Sequence, residues 1–324
     1  MKRYFITITV LFILLCIGFI WAVCSGSINI GAGEIASILS GKSENTQNYH
    51  IIMDIRLPRI LFALIVGGML GISGAILQGI LKNPLVDPYI TGISSGAALG
   101  ASIFIIMGVS SVFFPAMAGA LLTMFMVYRL SIVYGKMNIT SILLIGIMAG
   151  SFFSSLVLLL SAVFNRDIVK VMFWLLGDLS GASVSAWPVL LLAGVFGAAV
   201  YFANDLNILM TGEEEAKTVG VNTEFIKTMY FIIASLLTGI AVALSGVIGF
   251  VGLVIPHVLR FFTGADMRLL IPSSFLAGGF FLLVSDTLAR TVFLPGEIPV
   301  GIVTGLIGAP VFIFLLLKRG RPDA

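Results

Sequence analysis

Charge is what this sequence has least of. Asp, Glu, Lys and Arg make up only 10% of its 324 residues, while 59% are hydrophobic; a soluble domain carries roughly a quarter charged residues. No water-soluble fold could hide that much apolar surface, which excludes soluble enzymes and soluble binding modules. The formal net charge of +3 is too small for electrostatic capture of nucleic acid, so no such partner is expected. Cysteine is scarce too. Cys16 and Cys24 lie in the first apolar segment, two helical turns apart, where one straight helix cannot bring them together. Histidine is equally rare, and His257 beside Pro256 has no Cys, Asp or Glu nearby. A lone imidazole is a poor metal site, so no metal ligands are expected. A nucleotide-binding loop is also missing. The Gly-Lys-Ser at Gly41 to Ser43 has Ala36 where the first glycine of a P-loop belongs, and no strand precedes it.

What the sequence has in abundance is long apolar runs. They span approximately 4–24, 57–80, 93–108, 112–134, 140–164, 187–204, 228–250, a shorter stretch at 254–263, 269–292 and 299–317. Most approach the roughly 20 residues that a helix needs to cross about 30 Å of hydrocarbon. Backbone groups in lipid must be satisfied within their own segment, and these runs do not alternate as barrel strands would. The fold class is therefore an all-α integral membrane protein of about ten transmembrane helices, forming one transmembrane domain over 1–324. The apolar run after Met1-Lys2-Arg3 is too long for a signal-peptide core and reads as the first span.

Ten crossings place both termini on one side. Lys2 and Arg3 at the start and Lys318, Arg319 and Arg321 at the end make that side cytoplasmic by the positive-inside rule. Lys82, Lys136, Lys217, Lys227 and Arg268 then also lie inside. Lys42, Arg56, Arg59, Arg166, Lys170 and Arg290 fall at or near the outer face, against the trend.

A faint internal repeat is visible at a shift of 172 residues, which superposes Gly67 on Gly239, Ser73-Gly74 on Ser245-Gly246, Pro84 on Pro256 and Gly92 on Gly264. The copies start on opposite sides of the membrane, the inverted-repeat arrangement of many transporters. Each is expected to hold an irregular Pro-containing stretch, 83–88 in one and 255–257 in the other. Small residues recur at helical spacing in Gly67-Gly71-Ala75-Gly79, in Gly146-Gly150-Ser154 and in Gly301-Gly305-Ala309. Such stripes let helices pack closely; alternatively, Gly146, Gly150, Ser154, Gly301 and Gly305 line a translocation path.

The polar segment at about 205–226 is the most informative loop. Thr211 and Glu214 have the spacing of a capping box, and Glu213, Glu214 and Glu215 suit the positive end of a helix dipole. A short helix through Ala216 and Lys217, ending at Val219-Gly220-Val221, is predicted. It reads as a handle for another protein or as a merely solvated acidic loop. Asp286 and Arg290, four apart on a predicted helix, share a face and can neutralise each other.

Several motifs together carry a resemblance. Asn83 to Gly100 (NPLVDPYITGISSGAALG) and Gly249 to Arg260 (GFVGLVIPHVLR) closely resemble the signatures of the permease family of ABC importers for iron-siderophores, haem and vitamin B12. Arg56-Leu57-Pro58-Arg59, Trp174 to Leu179 and Glu297 to Phe312 are similar to further family segments, in the family's order along nearly the whole chain.

The resemblance implies a homodimer, or a pair with a close paralogue, with the path at the dimer interface of a bacterial inner membrane. Two separate ATPase subunits, which use ATP and Mg, would sit below, and a periplasmic or lipid-anchored substrate-binding protein above. The chain itself would bind no cofactor and catalyse nothing. Residues Glu213, Glu214, Glu215, Ala216, Lys217, Val219, Gly220 and Val221 match the family's coupling helix. Arg56, Arg59 and Arg290 match positions that offer positive charge to the binding protein. An ion-gradient-driven secondary transporter is the rival reading, although most spans lack the mid-membrane ionisable groups such coupling needs. The cargo, whether siderophore, haem or corrinoid, is not written in the chain, and iron-siderophore is favoured by frequency within the family.

Overall fold

The computed structural model describes residues 2–26, 28, 30–40, 46–109, 111–164, 168–181, 186–294 and 296–319. Lys42, Arg166, Arg321 and the Gly41 to Ser43 segment lie outside the described residues. Helix α1 (Lys2–Cys24) is followed by the short α2 (Ala32–Leu39) and α3 (Thr46–His50). A π-helical stretch, Ile51–Arg56, then leads into α4 (Leu57–Ile80). Pro58 has no N–H to return to the preceding turn, and the Leu57 amide reaches back five residues to the Ile52 carbonyl, the wide turn of a π-bulge. A 3-10 turn at Pro88–Thr91 precedes α5 (Ile93–Ile106) and α6 (Phe113–Leu130). A tight hairpin of β1 (Ile132–Val133) and β2 (Lys136–Met137) joins α6 to α7 (Ile139–Val163). Then come α8 (Ile168–Leu175), α9 (Ala186–Tyr201), α10 (Ala203–Thr211), α11 (Glu213–Thr218), α12 (Thr223–Ser245), α13 (Val251–Thr263), α14 (Met267–Thr291) and α15 (Val300–Arg319).

Each of the ten predicted runs carries a helix. Among the described residues seven helical runs are long and apolar enough to cross a membrane, and α9 with α10 makes an eighth bent by 49°. The other two, α5 and α13, have 14 and 13 residues, which reach only about 20 Å at 1.5 Å per residue. Short helices at membrane depth require cover from neighbouring protein.

Helix α4 is the axis of the fold, buried along almost its whole length between α12 and α14. Its small-residue stripe explains how. A Cβ on Gly67 would run into the Gly278 carbonyl of α14, and a Cβ on Gly278 into the Gly67 carbonyl. With backbones this close, dispersion and interhelical hydrogen bonds supply the association that water cannot drive in lipid. On the α12 side, Ser73 Oγ lies 2.8 Å from the Ala234 carbonyl oxygen and 2.6 Å from Thr238 Oγ1.

The two halves of the repeat differ where prolines were expected to break both. Residues 83–88 are irregular as predicted, with Asp87 capping the 3-10 turn through the Tyr89 amide. Pro256, in contrast, lies inside α13, and the irregular stretch of that half is 246–250 before it. Pro256 cannot donate to the carbonyl of Gly252 four residues back. Gln78 of α4 does so instead: its Nε2 lies 3.3 Å from the Gly252 oxygen and 3.2 Å from those of Leu253 and Val86. One buried amide thus ties α4 to both Pro-containing segments. Tyr89 adds a second tie, its hydroxyl donating to the Ile248 carbonyl at 2.8 Å and accepting from the Ile248 amide at 3.0 Å.

Candidate functional site

The chemistry of the chain is concentrated at the two ends of the bundle. α4 runs from Arg59 at one end to Gly79 at the other, where Gly79 meets Met267, Met210 and Leu206.

At the α10–α11 end the handle forms as a helix, though it is capped differently from the prediction. Thr211 ends α10, with its hydroxyl donating to the Ile208 carbonyl at 2.7 Å, and Gly212 in extended conformation takes the N-cap position. No capping box forms, because Thr211 is already committed to the preceding helix. The predicted stop holds: Gly220 adopts φ +86, and the Val221 amide bonds to the Ala216 carbonyl at 3.0 Å, a Schellman-type end. Ala216 is fully buried while Glu214, Glu215, Lys217 and Val219 face outward. Lys217 donates to Glu214 at 2.6 Å and holds that carboxyl below its ordinary value.

Glu213 turns inward, and here the structure shows a residue that the sequence reading counted only as a topological charge. Lys227 of α12 is 2% exposed, with Nζ 2.6 Å from Glu224 Oε1, 3.1 and 3.2 Å from the two Glu213 oxygens and 3.3 Å from the Met137 carbonyl. Glu224 also accepts from the Met137 amide at 2.9 Å. Glu224 and Lys227 lie three positions apart at the start of α12, a spacing that puts both on one helix face, and that was the available signal. At the start of α14, Asp266 caps the helix and accepts from Asn207 of α10 at 2.7 Å. Hydrogen bonding from Arg268 lowers the Asp266 carboxyl to about 2.

At the opposite end the three arginines come together around a cleft of about 150 Å³ shared with Gly26, Ile28 and Glu297. None of the three is a freely solvated charge. Asp286, fully buried, receives Arg59 on one oxygen at 2.9 Å and Arg290 on the other at 3.0 Å. Arg59 also reaches Glu297, which is half exposed, at 2.8 Å. Arg56 is spent on backbone, donating to the Val23 carbonyl at 2.8 Å and to the Ile28 carbonyl. The predicted Asp286–Arg290 pair therefore exists within a larger network. Glu297 had no predicted role, because its partner Arg59 lies 238 positions away in sequence.

Residues of the small-residue stripes of α7 and α15 make packing contacts within the chain. Gly146 sits against the Ile90 carbonyl, a Cβ there falling 2.5 Å from that oxygen, and Ser154 Oγ lies 3.3 Å from Ser95 Oγ of α5. Gly150 faces Gly92 and Ser95. Gly301 abuts the Leu176 carbonyl, and Gly305 lies under the ring of Phe250. His257 packs edge-on to Phe261 and Phe312, ring centroids 5.7 and 5.5 Å away.

A helical membrane bundle with an exposed helical handle at one end and a charged cleft at the other has the architecture of a multi-pass transport subunit. More particularly, the model of the FecCD transport family matches residues 14–318, and the chain belongs to that family. It is 39% identical over 311 residues to the hemin transport system permease protein HmuU of Yersinia pestis, covering 91% of each chain. The cobalamin import system permease protein BtuC of Halobacterium salinarum is 42% identical over 277 residues, 83% of this chain and 74% of that one. A solved structure described as an inward-facing metal-chelate type ABC transporter superposes with TM-score 0.85 at 32% identity, covering 96% of this chain and 98% of the other. These relatives are named as transport permeases, not enzymes.

Proposed function

We propose that this chain is the membrane-spanning permease of an ATP-driven importer for a metal chelate, with an iron-siderophore complex as the favoured cargo and haem or a corrinoid as the alternatives. The observation that carries the reading is the family match over residues 14–318, combined with an exposed α11 at one end and an arginine cleft at the other. Two copies, or one copy and a close paralogue, form the path between them. Both termini and α11 face the cytoplasm of a bacterial inner membrane. The face of α11 bearing Glu214, Glu215, Lys217 and Val219 docks against a separate ATPase, one per permease copy, which binds the ATP and Mg. Closure of the ATPases pulls α11 and switches the path between inward and outward access.

The substrate-binding protein, periplasmic or lipid-anchored, docks at the arginine end. Arg56, Arg59 and Arg290 take part through the positive field of the cleft rather than as free side chains, a reading supported by the hold that Asp286 and backbone carbonyls have on them. Of the groups around Arg59, Glu297 is the one open to exchange with an incoming carboxylate. Gly146 and Gly301 seat α7 and α15 against their neighbours, and with Gly150, Ser154 and Gly305 they border the translocation path.

The reading is tested by uptake into proteoliposomes holding the permease, its ATPase and its binding protein, with ferric siderophore, haem and cobalamin offered in parallel. ATP-dependent uptake of one ligand is the expected result. Uptake that ignores ATP and follows an ion gradient would make the chain a secondary transporter instead.

A further inference from the structure

We propose that Lys227 is the joint that carries motion of α11 into the α6–α7 hairpin and from there into α7. This rests on the reading that α11 docks against the ATPase, and adds the route by which that contact reaches the bundle.

The hairpin cannot be positioned by its own ladder. Each strand has two residues, and the turn at Tyr134 and Gly135 takes positive φ at both positions, the geometry of a type I′ turn. An isolated two-stranded hairpin of this length has little stability. Tyr134 at its tip is fully exposed, so the tip contributes no packing. The hairpin is anchored at Met137, its last residue, whose side chain is buried in the core and whose two backbone groups are both held from α12, the amide by Glu224 and the carbonyl by Lys227. Lys227 in turn holds both oxygens of Glu213, the first residue of α11. Met137 is followed at once by Asn138, the N-cap of α7, which accepts from the Ser141 amide at 2.9 Å. The chain of contacts therefore runs α11, Glu213, Lys227, Met137, α7 without a gap.

The link is stiff for a physical reason. An ammonium at 2% exposure is largely desolvated, so releasing either carboxylate leaves a buried charge partly uncompensated. A displacement of α11 large enough to break the Glu213 contact is resisted, and the hairpin moves with it. A shear that left the hairpin behind would have to break the contacts of Lys227 first. α7 then passes the movement on, because Gly146 bears on the Ile90 carbonyl in the 3-10 turn beside Tyr89.

The test uses the full permease assembled with its ATPase, spin labels at positions 134 and 218 (both exposed), and Cys16 and Cys24 replaced by serine. The distance between the labels is read without nucleotide and after vanadate trapping. In the otherwise native protein it is expected to stay within about 2 Å, the scale of a rigid-body shift rather than a local rearrangement. In K227M the distribution is expected to broaden on trapping, and ATP-driven uptake to fall about tenfold while the assembled complex still hydrolyses ATP.

E224Q keeps the lysine and Glu213 and is expected to show the same broadening at smaller amplitude; it reports even if K227M does not assemble. A distance that changes on trapping with Lys227 in place overturns the proposal, as does an unbroadened K227M with undiminished uptake. Failure of the ATPase to assemble with the native permease would overturn the docking reading itself, a distinct result.

Discussion

At one end of the bundle a carboxylate is surrounded by two guanidiniums; at the other an ammonium is surrounded by two carboxylates. Asp286 sits between Arg59 and Arg290, all on the long helices α4 and α14, with Glu297 reaching in from the segment before α15. Lys227 sits between Glu213 and Glu224 and joins a six-residue helix to a four-residue ladder. The first network locks two helices that already interlock through Gly67 and Gly278. The second ties three short or separate pieces, α11, the hairpin and the start of α12, beside the buried side chains of Ala216 and Met137. The same kind of buried ion pair thus reinforces an interlocked helix crossing at one end and links three separate elements at the other. On the proposed reading, the arginine end as a docking platform has to keep its shape, whereas α11 as a handle has to pass on displacement.

The largest effect is expected where the network is most deeply buried. D286N leaves two guanidiniums without their shared counter-charge, and removal of one partner from a buried pair costs about 3–5 kcal/mol. A fall in melting temperature of the detergent-solubilised permease of 10 °C or so would be the readout, using the rough scaling for domains of this size. If D286N melts like the native protein, the arginine end is not a structural lock. The charge reversal R59E puts a third carboxylate beside Asp286 and Glu297, so it is expected to unfold that end and not merely to weaken docking.

Next comes the helix crossing behind the lock. G278A places a Cβ against the Gly67 carbonyl, and a backbone cannot give way as a side chain can. Overpacking of this kind costs about 1–3 kcal/mol. The matching test at the other end is G220A, which forces a left-handed φ of +86 on alanine and costs about 1 kcal/mol. If G220A also reduces uptake more than G278A does, at equal loss of stability, the contrast between handle and platform is sharpened.

A smaller effect separates the ends by pH. The Asp266 carboxyl, lowered to about 2 by Arg268 and Asn207, has an ordinary value near 3.9. A depressed carboxylate contributes its full stabilisation above the unfolded value and loses it as pH falls through the folded value. The α10–α14 junction is therefore expected to weaken between about pH 4 and pH 2, within the range set by those two values. D266N should lower stability near neutrality and flatten that acid limb; an unchanged limb would assign the acid loss to another group.

How much of this was legible in the sequence follows from the range of the forces involved. Spans were legible because hydropathy is local, and all ten runs carry helices. The stop at Gly220 and the Asp286–Arg290 pair were legible for the same reason, being set within one turn. Pro256 misled because proline was read as a break, when a partner 178 positions before it, Gln78, satisfies the carbonyl it frees. The capping box failed because Thr211 had a competing acceptor in its own helix. Glu297 and the full role of Lys227 were illegible, since each depends on residues brought together only by folding.

The smallest expected effect on stability falls on the residue most telling for function at the cleft. Glu297 is half exposed and pairs with an Arg59 that Asp286 already neutralises, so E297Q should change the melting temperature little, as for exposed pairs generally. It also withdraws the one carboxylate in the cleft that solvent can reach, raising the positive potential there. If a binding protein presents acidic groups to this end, its association should quicken a few-fold at low salt, and the gain should shrink as ionic strength rises, because complementary charge acts mainly on encounter. Surface plasmon resonance of the permease in nanodiscs reads both quantities. Association that slows in E297Q would mean that Glu297 is itself a contact for the partner, and the cleft would then be an acceptor of mixed charge rather than a cationic one.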